Sequence, residues 1–307
     1  MRSPRTIRYP PMRIRLTVAG LVLSGLLVAC TGTPPREAVP TLKIAAWNIE
    51  HLAERDGSGC RPRAEADYAA LRAHVKRLAA DVIAFAEVES AAAAARVFPP
   101  DDYLIVMSDR PDSRRDYFCR RDAASGPRIN KQDVGFAIRR SVKFTRHADL
   151  AALGLGDPDL RWGVDVTIEA TRPLRLLSVH LKSGCSAGVE REACPILFEQ
   201  VPVLERWMAE RRAEGVDFAV LGDFNRRLAV AGDRVWRELN GDGISLIDAA
   251  GGEGSRCVER YADFIDHIVL DPGAARRMVA GSFEQFDYGV PEAEHPSDHC
   301  PIAVRVR

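Results

Sequence analysis

Six short stretches of this 307-residue chain end or interrupt an apolar run with a carboxylate, an amide or an imidazole. WNIE carries Asn48 and Glu50, AEVE carries Glu87, and HLKS carries His180 and Lys182. GDFN carries Asp223 and Asn225, IDHI carries Asp266, and SDHCP carries Asp298 and His299. Burying such a group beside a core is costly unless it is paired or ligates a cation. Taken singly, a strand-end Asp or Asn is a turn former and a lone histidine is a satisfied polar residue. Six in series point to one shared site. The donors are oxygens and imidazoles without a Cys/His ligand cluster, a hard set that suits Mg²⁺ or Mn²⁺, with Ca²⁺ as a further option, over structural zinc. A divalent cation, carboxylates and two histidines together can do hydrolytic chemistry: the cation offsets developing negative charge, and an imidazole moves the proton.

The elements that must position these groups are short apolar, β-branched runs that read as buried strands: LKIAAWN, DVIAFAEV, YLIVM, DVGFAI, WGVDVTI, LRLLSVHL, DFAVLGDF, FIDHIVL and PIAVRV. Side chains alternate along a strand, so Asp223 and Asn225 share a face, as do His180 and Lys182, whereas Asp298 and His299 point to opposite faces. Helical patterns lie at 64–79 and 193–213. In the second, Ile196, Val203, Leu204 and Trp207 line one face while Glu205, Glu210, Arg211 and Arg212 stay in water. Helices interrupt the strands irregularly. That predicts α/β (α+β) architecture with mixed sheets covered by helices, and not a simple doubly wound parallel sheet. Neither an internal repeat nor a coiled-coil heptad is visible.

The N-terminus is set apart from the fold. Residues 1–29 hold five arginines, no acid and the apolar run LTVAGLVLSGLLVA, too short for a stable span. The run ends LVAC, which resembles the lipobox of bacterial lipoproteins and implies a signal peptide over 1–29, lipidation at Cys30 and a Pro- and Thr-containing linker over 30–40. An uncleaved N-terminal anchor is the alternative. Both place the remaining chain in the cell envelope, at a membrane surface, on the outer membrane or the periplasmic face and not in the cytoplasm; Thr31, where Asp would be the inner-membrane retention signal, leans toward the outer membrane. Without those 29 residues, 38 basic residues face 43 acidic ones, a formal charge of −5. Such a balance argues against a passive nucleic-acid binder but not against an enzyme that touches a few phosphates. Seven cysteines less Cys30 leave six, an even number in a compartment where disulfides persist. Cys60 with Cys119 and Cys185 with Cys194 are the expected pairs, from polar, loop-like surroundings; Cys257 and Cys300 either pair or remain thiols.

WNIE, AEVE, HLKS, GDFN, IDHI and SDHCP, in that order, resemble the endonuclease/exonuclease/phosphatase superfamily over residues 41–307. The resemblance implies a four-layer sandwich of two mixed β-sheets flanked by helices, with the active site at strand ends along one edge. It implies that Glu87, with Asn48 and Asp298, binds the principal metal. Asp223 and Asn225 would position water or stabilise the phosphorane, His180 and His299 would straddle the phosphate, and Asp266 would orient His299.

Substrate is less determined. The first reading is a lipid-anchored nuclease acting on DNA or RNA, a monomer on a tether, with Lys182, Arg226, Arg227, Arg120 and Arg121 as substrate contacts. Arg120 and Arg121 belong to a stretch at 109–133 with no apolar period and seven basic residues, either a functional loop or a solvated insertion. The second reading is a phospholipid or small-phosphoester hydrolase, for which Tyr117 and Phe118 are the candidate membrane tip. The third is a non-catalytic surface binding protein.

Overall fold

The computed structural model describes residues 41–112, 117–120, 125–258 and 260–307. The signal segment, Cys30, the linker up to residue 40 and Arg121 lie outside them.

Two six-stranded mixed sheets stack face to face. The first is built around β1 (Leu42–Leu52) and β2 (Val82–Val88), which run parallel and are joined by helix α1 (Glu65–Leu78). After α2 (Ala91–Val97), β3 (Tyr103–Met107) and β4 (Asp133–Arg139) add antiparallel strands beyond β2. The second sheet starts with β5 (Phe144–Arg146) and β6 (Val164–Ile168) and is built around β7 (Leu174–His180) and β8 (Phe218–Asp223). These two again run parallel, joined by α3 (Cys194–Ala213). Helix α4 (Arg234–Leu239) leads to β9 (Ile247–Asp248), and β10 (Asp266–Leu270) lies between β8 and β9. After α5 (Pro272–Arg277), β11 (Glu284–Gln285) and β12 (Ile302–Val306) return to the first sheet, β12 antiparallel to β1. The two sheets therefore carry matching cores, a parallel pair with antiparallel neighbours on both sides, although the sequence shows no repeat.

Alternation explains the layers. Ile44, Ala46, Val82, Ala84, Leu176 and Leu221 face the opposite sheet in one core cluster. Their neighbours Ala45, Trp47, Ile83 and Phe85 pack outward under α1 and α2, and Leu177, Val179 and Val220 pack outward under α3. Helix α3 buries Leu197, Val201, Leu204 and Met208, spaced four, three and four apart as one helical stripe requires. Ile196 and Val203 sit at its margin and are only half-buried, so the buried face is rotated from the one expected from the sequence. Trp207 and Leu204 are buried as expected.

Disulfides join Cys60 to Cys119, Cys185 to Cys194 and Cys257 to Cys300, which decides the pairing left open for the last two. Among the described residues, no helix is long and apolar enough to cross a membrane.

Candidate active site

The C-terminal ends of β1 and β2 depart from regular strand geometry. The β1–β2 pairing shifts register between Asn48 and Leu52, and the β2–β4 pairing between Phe85 and Val88. Glu50, His51 and Glu87 take left-handed backbone conformations there, with φ of 46°, 51° and 60°; across the site Asn225 does the same at 52°. Non-glycine residues rarely adopt this region, and clusters of such strain mark functional sites. The distortion turns the polar side chains inward. Asn48 Nδ2 donates to Glu87 Oε1 at 3.2 Å and to Asp223 Oδ2 of the other sheet at 3.0 Å. The His51 N–H donates to Glu87 Oε2 at 3.1 Å.

The second sheet answers from its own strand ends. Register pairs His180 with Asp223 across β7 and β8, and Asp266 with Asp223 across β10 and β8. The strands approach closely at Gly222, where φ is +136° and a Cβ would lie 2.1 Å from the Val179 carbonyl oxygen, so only glycine fits. Asp223 is pinned by Asn48 and by the Asn225 N–H at 2.7 Å. His180 Nε2 stands 3.5 Å from Asp223 and 3.8 Å from Glu87. His299 arrives from the turn before β12 and meets Asp266 Oδ2 through Nδ1 at 2.6 Å. Its Nε2 is left 4.0 Å from Asp223 and 3.8 Å from Asp298.

Electrostatics separate the two histidines. Burial alone would lower the His299 pKa, but the charge and hydrogen bond of Asp266, aided by Asp223 and Asp298, hold it well above the ordinary 6.5. Burial, reinforced by Arg161 and His299, keeps His180 well below 6.5 and therefore neutral. Burial and the neighbouring Asp266 charge push Asp223 up to about 7. Burial and the Asp298 charge likewise raise Glu50. Carboxylates crowded into a buried site in this way call for positive charge. Asp266 Oδ1 and His180 Nδ1 are buried without a hydrogen-bond partner. Oxygen donors from Asn48, Glu50, Glu87, Asp223, Asp266 and Asp298 suit a hard divalent cation, and the residues fit that group.

Asn48 and Glu87 come together as a metal pair would require. Asp298 touches neither; it joins them through Glu50, which accepts the Asp298 N–H and donates its own N–H to Asn48 Oδ1. The substrate contacts divide. Arg227 lines a cavity of about 590 Å³ together with Asn225, Asp266, Asp298 and His299. Arg226 does not: it is buried, forks onto Asp233 at 2.6 Å and donates to the Cys185 and Gly188 carbonyls, so it is a structural cation. Lys182 Nζ donates to the Ser183 carbonyl, and Lys182 and the exposed Arg120 are outside that cavity lining.

Three site groups have no role in the sequence reading. Glu50 is at a recognised strand end but without a role, and His51 follows it. Arg161 precedes β6, and the Val164 to Ser178 register sets it beside the end of β7, where it donates to the Leu181 carbonyl at 3.3 Å. No local pattern marks Arg161, because only the antiparallel pairing of β6 brings it there.

A stacked pair of mixed sheets with a buried carboxylate and imidazole cluster across their seam is the architecture of a phosphoesterase. The chain belongs to the Endonuclease/Exonuclease/phosphatase family, whose sequence profile matches residues 45–299. Similar folds include TDP2 from D. rerio complexed with single strand DNA product, at 15% identity and TM-score 0.57, covering 87% of this chain and 99% of that one. The human Nocturnin catalytic domain with bound sulfate is 16% identical at TM-score 0.59, covering 87% and 93%. The AP endonuclease LMAP from Leishmania major is 16% identical at TM-score 0.56, covering 87% and 88%. No curated protein sequence matches significantly. Family membership supports a metal-dependent phosphoesterase activity.

Proposed function

We propose that this chain is an exported, lipid-anchored nuclease that hydrolyses phosphodiesters of DNA or RNA by in-line attack of water. The observation that carries the reading is the Asp266–His299 pair, at 2.6 Å, aimed across the sheet seam at Asp223, with His180 and the Asn48–Glu87 pair beyond. Glu87, Asn48 and Asp298, with Glu50 beside them, would hold a divalent cation, Mg²⁺ or Mn²⁺, which when bound offsets the charge of the ester and of the departing oxygen. Asp266 accepts a hydrogen bond from the Nδ1–H of His299 and so directs Nε2 into the cavity, where, above the raised pKa of the ring, it takes a proton from the attacking water. Neutral His180 contributes an N–H to a phosphoryl oxygen, a donor's role and not that of a strong acid. Asp223, held by Asn48 and the Asn225 N–H, orients the water.

Nucleic acid is favoured over phospholipid by guanidinium groups placed to meet phosphates flanking the scissile one. Arg61, Arg227 and Arg260 stand among the carboxylates that line the catalytic cavity. The candidate membrane tip is polar in context: Tyr117 donates to Asp159, and the Arg128 guanidinium lies 4.4 Å from the Phe118 ring centroid. The ssDNA product held by the similarly folded TDP2 lends further support.

The test is Mg²⁺- or Mn²⁺-dependent product release by the purified, oxidised protein from supercoiled plasmid, single-stranded DNA, RNA and sphingomyelin vesicles. Nicking or degradation abolished by chelator and by His299→Ala supports the nuclease. Cleavage of the vesicles alone moves the substrate to phospholipid. Ligand binding that survives Glu87→Gln and His299→Ala, without turnover of any phosphoester, supports a non-catalytic binder. Export is tested separately by incorporation of labelled palmitate, which Cys30→Ala should eliminate.

A further inference from the structure

The loop between β9 and β10 carries an exposed aromatic ring to the edge of the catalytic cavity. Tyr261 is 46% exposed, and it lines the same cavity as Asn225, Asp266 and His299. Two guanidinium groups attend the ring, Arg260 at 4.9 Å and Arg227 at 6.0 Å from its centroid. Among the described residues both have only distant acidic partners: Arg260 is 4.0 Å from Glu292, and Arg227 Nε is 3.9 Å from Asp263. The Arg260 pair is solvated and contributes little, and neither separation is short enough for a hydrogen bond. Arg227 Nε is buried and has no hydrogen-bond acceptor, so a donor beside the ring waits for one. The loop is also anchored. Cys257 is bonded to Cys300, the residue after His299, so the loop that carries the ring is tied covalently to the turn that bears the reacting imidazole.

Resting on the nuclease reading, we infer that Tyr261, Arg260 and Arg227 form a platform for one unpaired nucleotide next to the scissile phosphate. The base stacks on the Tyr261 ring and its guanidinium neighbours, and Arg227 takes the adjoining phosphate. Each base has a π-face for such a platform, whereas a base inside a duplex already spends both faces on its neighbours. The same cations disfavour a choline headgroup, which would need an aromatic cage free of positive charge. The consequence is a preference for single strands and frayed ends.

The experiment compares two esters with the same leaving group, methyl 4-nitrophenyl phosphate and the 4-nitrophenyl ester of thymidine 5′-phosphate, together with the thymidine 3′ isomer. The ratio of kcat/KM between a nucleoside ester and the methyl ester isolates the base. In Tyr261→Ala that ratio should fall about ten-fold for one of the two isomers, with the methyl ester unchanged, and Tyr261→Trp should restore it. Binding of a labelled oligothymidylate in chelator should weaken by a similar factor in Tyr261→Ala. An unchanged ratio and unchanged binding in Tyr261→Ala overturn the platform while leaving the phosphodiesterase intact. Equal cleavage of single-stranded and fully paired DNA by the wild type overturns it too. Failure to turn over any ester, with oligothymidylate binding still dependent on Tyr261, defeats the nuclease reading and not the platform.

Discussion

Asp266 holds His299 in one tautomer and above its ordinary pKa, and both effects vanish if the carboxylate becomes an amide. Asp266→Asn should lower kcat by about 10²–10⁴. The activity that remains should rise at lower pH, because a base loses its proton at its own pKa and His299 without Asp266 returns toward 6.5 or below. A pH profile of kcat distinguishes this from simple misfolding. The adjacent arginines make an opposed pair of predictions. Arg226→Ala strands the buried Asp233 carboxylate and should cost about 3–5 kcal/mol in urea melts, with little change in KM per folded molecule. Arg227→Ala should raise KM and leave the melt where it was. These two residues could not be told apart in the sequence. Asn225 takes a left-handed conformation just before them, so the strand alternation that placed Asp223 and Asn225 no longer says which way the next side chains point. Carboxylates and histidines at strand ends were legible because burial of such groups beside apolar runs is costly and therefore informative. Arg161 was not, being a lone charge in a loop.

At the scale of elements, α1 contains a buried group that titrates against the fold. His74 is 1% exposed, packed against Tyr288 and Phe286, with Nε2 unpartnered. Burial, then the Arg77 charge, lowers its pKa to about 4. The unfolded chain therefore binds a proton near pH 6.5 that the folded chain resists until about pH 4. Stability from this residue is complete above pH 6.5 and is lost as pH falls toward 4, about 3 kcal/mol in all. His74→Phe should flatten that part of a stability-against-pH curve measured by urea unfolding. The long strands and the two long helices were readable from period and length, since their buried faces repeat. The two- and three-residue strands β5, β9 and β11, and the short helices α2, α4 and α5, were not. They are too brief for a period and exist because a neighbouring strand offers unpaired backbone groups or because a side chain caps them, as Asp271 caps α5.

Over the whole molecule, the Cys257–Cys300 bond closes a loop with a sequence separation of 43 that includes β10 and α5 and links the second sheet's connections to β12 of the first. Replacing both cysteines with alanine should destabilise the fold by about 4 kcal/mol on the chain-entropy account, measured by denaturant unfolding. Catalysis should suffer more than the residual folded fraction predicts, because His299 precedes one of the two sulfurs. Mixed sheets covered by helices were legible from the order of the strands, and the sandwich from the family resemblance. The exchange of β11 and β12 back into the first sheet was not, since nothing local says which sheet a C-terminal strand joins.

Asn48 is the only side chain described above that donates to a carboxylate of each sheet at once, Glu87 in one and Asp223 in the other. The chemistry thus belongs to neither half of the sandwich. If the sheets part by the width of a water molecule, that amide must release one partner, and the reacting groups disperse while each sheet still holds its strands. Heat inactivation should then run ahead of the loss of far-ultraviolet ellipticity. A nicked, half-assembled or ageing copy falls silent before it falls apart, so the seam works as a safety catch on an enzyme that cuts phosphodiesters.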